Sequence, residues 1–274
     1  MKFKPYDKVE VNGNKEAIIL NHYEGNMYEV RLWSGLRHVG DITVDKRNIK
    51  LIMNLLLSYP RSGNTWLRYS VECVTKKPTI GYLGPLSAKF DNNPIGHFVD
   101  IGIDKSAKNI MTKRHAVEII DEPIEKLILV VRDYKEVIVR HRKMSPDVSL
   151  LKDSCSSEGS THNYIQLIDY FDKFEGDKII IHYEDIITDI KSVLTNLVDF
   201  FGESDEYIED FMNKIEIHKM NSIGIYGPGG SETKGKSLKH HSNKMTSEQK
   251  GEWDSFLKLE FPDLFDKYLK RYEE

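Results

Sequence analysis

The stretch LLLSYPRSGNTWL, residues 55–67, decides the fold because it has the pattern of a strand, a short loop and a helix start. Its apolar run ends at Tyr59, residues 61–65 form the loop, and helix-compatible residues follow from Trp66. At such a junction, unpaired backbone N–H groups converge with the positive end of the helix dipole. The loop therefore predicts a site for an anion such as a phosphate group.

The side chains of this loop add further donors for an anion. Gly63 lets the backbone approach a bound group closely, and Arg61 supplies a fixed positive charge. Ser62 and Thr65 supply hydroxyl groups. The loop is not the P-loop of nucleoside-triphosphate hydrolases, because no Lys follows Gly63. Taken alone, it could also be a tight strand-to-helix turn with an exposed Arg.

The composition of the 274-residue chain argues against several classes of protein. Hydrophobic residues at 39% and charged residues at 30% predict a soluble folded protein. The net charge of −4 argues against non-specific nucleic-acid binding. The first residues lack the apolar stretch expected of a signal peptide, and no apolar run approaches the roughly 20 residues of a membrane span. With only two cysteines, Cys73 and Cys155, we expect a cytoplasmic protein that does not bind membranes.

Two domains are expected, with the boundary near residue 50. Residues 1–50 contain short strands between Asn-Gly and Ser-Gly turn signals, which predicts a small SH3-like β-barrel. Its Trp33, Arg37 and His38 could bind an unknown partner, although ordinary barrel packing and a solvated rim are the favoured explanation. Residues 51–274 alternate apolar strands with amphipathic helices, the pattern of an α/β domain with a parallel sheet.

The element boundaries in this second domain follow from periodicity and turn residues. Strands are predicted at 55–59, 109–112, 126–131 and 178–182, and helices at 65–74, 134–143, 161–174 and 188–201. Thr246 and Gln249 form a capping box, and Pro262 begins a last helix. Residues 144–159 and 224–243 show no periodicity and are predicted as loops that cover a substrate.

Cationic and aromatic residues follow the strands, at the edge where parallel sheets bind ligands. Lys113 and His115 follow the second strand, and a His near neutral pKa can take a proton from a substrate hydroxyl. Arg132 follows the third strand and Tyr183 the fourth. Lys234 lies in the later loop. Jointly, these residues predict a site for a polyanionic nucleotide.

In this order, the motifs resemble those of the sulfotransferases that use 3′-phosphoadenosine 5′-phosphosulfate (PAPS). Residues 59–66, YPRSGNTW, are similar to the family's 5′-phosphosulfate loop, usually written YPKSGTTW. The resemblance implies that Arg61 replaces the Lys at the bridging oxygen and 5′-phosphate. It implies that Asn64 and Thr65 replace the phosphate-binding threonines, with Ser62 and Gly63 in the same cradle. Trp66 would lie against adenine.

The resemblance continues over residues 53 to about 258. Lys113-Arg114-His115 resembles Lys-Thr-His, which implies that His115 is the base and Lys113 a sulfuryl contact. By the same resemblance, Arg132 would bind the 3′-phosphate, Tyr183 would lie near adenine, and Lys234-Gly235 would belong to a late phosphate loop. Two departures stand out. Arg140 occupies the position of a Ser on the 3′-phosphate, and Arg61 changes the geometry of a Lys.

The implied reaction is in-line transfer of the sulfuryl group from PAPS to an acceptor oxygen or nitrogen, with PAP as product and no metal. The acceptor would be a small molecule or a sugar. Residues 81–105 and 144–160 would shape its pocket, with Phe90, His97 and Phe98 as candidate contacts. A Mg²⁺-dependent P-loop-like kinase is one alternative. A catalytically silent protein that binds a nucleotide or a partner is another.

Overall fold

The structure is a computed structural model that describes residues 8–11, 14–23, 27–34, 37–45, 49–81, 102–104, 107–117, 120, 123–142, 144–156, 162–225 and 241–274. Five residues with a predicted role lie outside the described residues: Phe90, His97, Phe98, Lys234 and Gly235.

The first 51 residues contribute a five-stranded antiparallel sheet. Its strands are β1 (Lys8–Val11), β2 (Asn14–Tyr23), β3 (Met27–Ser34), β4 (Arg37–Asp45) and β5 (Ile49–Leu51), in the order β4-β3-β2-β1-β5. Alternate residues such as Val9, Ile19, Tyr28 and Val30 are buried in a small core of their own. The antiparallel sheet agrees with the expected small barrel, while an SH3-like closure stays a prediction.

The second sheet is parallel throughout, which confirms the predicted α/β class. Its strands are β6 (Met53–Ser58), β7 (Thr79–Gly81), β8 (Met111–Arg114), β9 (Ile124–Val131) and β10 (Asp177–His182), in the order β10-β9-β6-β8-β7. Both faces are covered, since Leu127 and Leu129 pack into one core and Ile128 and Val130 into the other. The carboxyl ends of β6, β8, β9 and β10 therefore share one edge.

Ten helices occur in the described part of the chain. They are α1 (Asn64–Thr75), α2 (Tyr134–Arg142), α3 (Val148–Cys155), α4 (Tyr164–Lys173), α5 (Tyr183–Thr188), α6 (Ile190–Phe201), α7 (Ile208–Asn213), α8 (Ile215–Ile225), α9 (Ser247–Glu260) and α10 (Pro262–Leu264). A π-helical turn, Phe265–Leu269, and a 3₁₀ turn, Lys270–Tyr272, follow α10. The predicted capping box at Thr246 is confirmed, with both of its hydrogen bonds to and from Gln249 present.

The prediction that residues 144–159 form an irregular loop is wrong, because α3 occupies half of the segment. Asp147 caps this helix by accepting a hydrogen bond from the Leu150 N–H at 3.1 Å. Leu150 and Leu151 are buried in the core beside α4. Two helical turns are too short to show periodicity, so the burial that stabilises α3 is not visible in the sequence pattern.

The C-terminal segment is tied to the carboxyl edge of the parallel sheet. The buried Lys135 amine on α2 donates to the Tyr272 carbonyl at 2.5 Å and pairs with Asp254 at 2.7 Å. The Tyr272 hydroxyl donates to Glu184 at 2.8 Å. These contacts fix α2 and α5, which begin at the ends of β9 and β10. Among the described residues, no helix is long and apolar enough to cross a membrane.

Candidate active site

The loop between β6 and α1 presents an open helix N-terminus. Gly63 is the N-cap of α1 with φ 86°, and its carbonyl accepts from the Leu67 N–H at 3.2 Å. No side chain caps the helix, and its first turn carries no acidic residue. The backbone N–H groups of that first turn are therefore available to an anion, as the sequence predicted.

The Tyr183 ring packs directly on Gly63, which explains why this position requires glycine. A Cβ at Gly63 would lie 2.5 Å from Cδ2 and 2.7 Å from Cε2 of Tyr183. The positive φ of Gly63 adds a second cost for any other residue. Tyr183 begins α5 at the end of β10, so the fold brings two of the predicted nucleotide-site residues into contact.

Arg132 completes this cluster from the end of β9. Its guanidinium lies 3.9 Å from the centroid of the Tyr183 ring, and it donates to the Arg61 carbonyl at 3.1 Å. Its other terminal nitrogen lies 3.4 Å from Glu136. Arg61 itself is exposed and has φ 76°, an unusual backbone conformation for a non-glycine residue. Arg132 is only 3% exposed, so in this structure it braces the loop from behind.

Three more predicted residues line the same loop. Ser62 is fully buried and its hydroxyl has no hydrogen-bond partner among the described residues, while Asn64 and Thr65 are buried in the first turn of α1. A buried hydroxyl without a partner beside open N–H groups suits a phosphate ligand. Trp66 is partly buried and stacks on Tyr69, with 5.7 Å between ring centroids. The predicted contact of Trp66 with adenine stays a prediction.

Arg140 lies one helical turn beyond Glu136 on α2. The Glu136 carboxylate accepts from the Ser242 N–H at 2.9 Å, which holds the 3₁₀ turn His241–Lys244 against this helix. Within the described part of the chain, the partly exposed Arg140 side chain makes no hydrogen bond or ion pair. It is a cation with capacity for a ligand, and its contact with the 3′-phosphate stays a prediction.

His115 follows β8 and adjoins the end of β6. Its Nδ1 lies 2.5 Å from the Ser58 carbonyl oxygen, which can only accept, so Nδ1 carries the proton. Nε2 has no hydrogen-bond partner among the described residues and keeps its lone pair. Burial, followed by the charge of Lys113, lowers the pKa of His115 well below 6.5. The ring is therefore neutral at neutral pH and able to accept a proton.

Two further histidines lie beside His115, and sequence reasoning missed both. The centroid of the His162 ring is 5.8 Å from that of His115 and 5.3 Å from that of His141. His141 meets the Tyr59 ring edge-on, with 5.4 Å between centroids. We call His115, His162 and His141 the imidazole row. Single histidines carry no spacing signature, so only the position of His141 next to Arg140 could have drawn attention to it.

Arg132 also lines a cavity of about 290 Å³. Its lining residues are Arg132, Asp133, Glu136, Glu184, Arg271, Tyr272, Glu273 and Glu274. Burial raises the pKa of Asp133 to about 6. Because acidic side chains outnumber the two arginines in this lining, the cavity favours a phosphate group less than the open end of α1 does.

Comparison with known proteins identifies the family. Residues 53–273 match the family described as sulfotransferase domain, which covers most of the chain. The chain belongs to the sulfotransferase family. The resemblance recognised in the sequence motifs is therefore confirmed, and so is the expectation of an enzyme that transfers sulfuryl groups.

A solved sulfotransferase structure supports the fold. The crystal structure of mouse sulfotransferase SULT7A1 complexed with PAP is similar with a TM-score of 0.52 and 16% identity, over 81% of this chain and 88% of that chain. No curated protein sequence matches the chain. Among the residues that the structure describes, no group of three His, Cys, Asp or Glu side chains is placed to hold a metal ion.

Proposed function

We propose that this sulfotransferase moves the sulfuryl group of PAPS to an acceptor by in-line displacement, with His115 as the general base. The neutral His115 ring carries the proposal, because its Nδ1 is engaged by Ser58 and its Nε2 is left to receive a proton. The family supplies the reaction class. The PAP in the mouse sulfotransferase structure supports the same nucleotide for this chain.

The donor side of the site would hold the nucleotide through the loop at the start of α1. The first-turn N–H groups, the Ser62 hydroxyl and the exposed Arg61 side chain suit the 5′-phosphosulfate end. By their sequence positions, Arg132 and Arg140 would bind the 3′-phosphate. Lys234 and Gly235 would belong to the late phosphate loop that their motif resembles. When the sulfuryl group of PAPS is transferred, the 5′-phosphate of PAP departs, and these donors would stabilise its charge.

The acceptor side depends on His115 and Lys113. His115 would remove the proton from the acceptor hydroxyl or amine as its oxygen or nitrogen attacks sulfur. Lys113 is buried on β8 and would offset negative charge on the sulfuryl oxygens in the transition state. Arg61 would stabilise the bridging oxygen as it leaves.

The alternatives predict different ligands. A Mg²⁺-dependent kinase would require ATP, whereas the family assignment favours sulfuryl transfer. A silent binding protein would bind PAP without turnover. Melting temperatures measured with PAP and with ATP·Mg²⁺ distinguish a sulfotransferase from a kinase. PAP should raise the melting temperature of a sulfotransferase strongly, and ATP·Mg²⁺ that of a kinase. Release of PAP from PAPS in the presence of acceptors distinguishes an enzyme from a silent protein; failure to bind PAP at millimolar concentration would refute the proposal.

We further propose that residues 1–50 form a separate SH3-like barrel that docks a partner, while residues 51–274 carry the reaction. The strand order β4-β3-β2-β1-β5, with β5 antiparallel to β1, supports this division. A chain of residues 51–274 should then bind PAP as tightly as the full chain. A large loss of PAP affinity in that shorter chain would contradict the division.

A further inference from the structure

The imidazole row lies on the acceptor side of the site and includes more residues than the proposed reaction uses. His115 contributes the base, whereas His162 and His141 have no assigned role. All three rings are partly buried and partly accessible. His141 reaches this position from the last turn of α2, and His162 from the residues before α4.

Burial and nearby cations keep the imidazoles of His115 and His141 neutral at neutral pH. Burial, then His162, Arg61 and Arg142, lower the pKa of His141 to about 4. Lys113 acts in the same direction on His115. None of the groups that act most strongly on these two rings is a carboxylate. Each of the two rings therefore has one N–H donor and one nitrogen acceptor at neutral pH, and the donor of His115 is already engaged by the Ser58 carbonyl.

His141 has both of these groups available. Within the described residues, it makes ring contacts to Tyr59 and His162 but no hydrogen bond. A hydroxyl group is the best match, since it can donate to one imidazole nitrogen and accept from another. An ammonium group would be repelled by Arg61 and Arg142. An apolar ring would leave the two nitrogens of His141 without partners.

We propose that the acceptor is a polyhydroxylated molecule, and that His141 and His162 hold its neighbouring hydroxyls while His115 deprotonates the one that is sulfated. Adjacent hydroxyls on one sugar or polyol can then contact adjacent rings of the row. The inference rests on the proposed function and narrows its acceptor to oxygen nucleophiles of the polyol class.

The test compares acceptors that differ only in hydroxyl number. Sulfation of cyclohexanol, trans-cyclohexane-1,2-diol and myo-inositol is measured with PAPS, together with the affinity for PAP. We expect kcat/KM for the two polyols to exceed that for cyclohexanol by about tenfold, as one or two added hydrogen bonds provide. Equal values, or no turnover of the polyols by a protein that binds PAP, would overturn the inference and leave nucleotide binding intact.

Substitutions at His141 and His162 test whether these two residues hold the acceptor hydroxyls. His141→Phe and His162→Phe should each lower kcat/KM for the polyols by about two- to tenfold, mainly through KM, and lower it less for cyclohexanol. His141→Gln retains a donor and an acceptor and should restore most of the preference. If the Phe variants affect all three acceptors equally at unchanged PAP affinity, the residues have only a packing role and the inference is wrong. If the wild-type protein does not bind PAP, the proposed function itself fails.

Discussion

The two sides of the site differ in how fully their polar groups are already engaged. On the donor side, Arg132 stacks on Tyr183, donates to the Arg61 carbonyl and lies beside Glu136, and Tyr183 covers Gly63. On the acceptor side, the His115 ring hydrogen-bonds through one nitrogen and His141 through neither, within the part of the chain that the structure describes. A braced loop can hold one nucleotide in a fixed position. Unengaged imidazoles can instead take a proton or a hydroxyl group.

The largest effect expected from this contrast is the loss of the base. His115→Gln should lower kcat by about 10²- to 10⁴-fold, because an amide cannot accept the acceptor's proton at neutral pH. The affinity for PAP should stay within about threefold, since His115 belongs to the other side of the site. Single-turnover rates and PAP titrations measure the two quantities, and a near-normal kcat would remove His115 as the base.

Next in size is a change at the contact of Gly63 with Tyr183. Gly63→Ala should weaken PAP binding by about 100-fold, because overpacking costs about 1–3 kcal/mol and a positive φ adds about 1 kcal/mol. Gly202 is the matched control, since its φ is 72° and a Cβ there meets nothing within 4 Å. Gly202→Ala should lower the melting temperature but retain PAP affinity. Equal PAP affinity in the two variants would argue against the steric explanation.

A smaller effect is expected from the stack of Arg132 on Tyr183. Tyr183→Leu removes the ring under the guanidinium, and should weaken PAP binding by about two- to thirtyfold, the range of a cation–π contact. Tyr183→Phe retains the ring and should stay close to the wild-type affinity. Calorimetric titration of both variants with PAP makes the measurement. An equal loss in the Phe variant would assign the effect to the hydroxyl group.

The mildest test follows the pH dependence of the acceptor side. The proposed base His115 would have to be neutral to accept a proton, so we expect activity to be lost as pH falls through its pKa. Because burial and Lys113 lower that pKa well below 6.5, the acid limb of kcat/KM should lie well below pH 6.5. Lys113→Met removes the cation and should move the limb to higher pH, whatever its effect on the maximal rate. A limb that moves to lower pH would contradict the assignment.

The sequence allowed the prediction of those features that follow from local pattern and parallel pairing. The loop at residues 61–65 is recognisable from its own residues, and strands β6, β9 and β10 from their apolar runs. Parallel pairing then places Arg132 and Tyr183 at one edge. These steps need no knowledge of how side chains pack.

The remaining features depend on contacts between distant residues. The bracing by Arg132 joins residues 71 positions apart, and the imidazole row joins three different parts of the chain. Strands β1, β5 and β7 and helix α3 are too short for periodicity and are stabilised by their neighbours. Local pattern carries no information about such contacts.

The tie between Lys135 and Tyr272 has a consequence for biosynthesis. The two residues are 137 positions apart, so during translation Lys135 emerges long before its partner. A buried amine without its partners is costly, and the start of α2 therefore cannot reach its final packing until Tyr272 has left the ribosome. We expect the part of the sheet edge at the start of α2 to be the last to reach its final packing in the nascent chain.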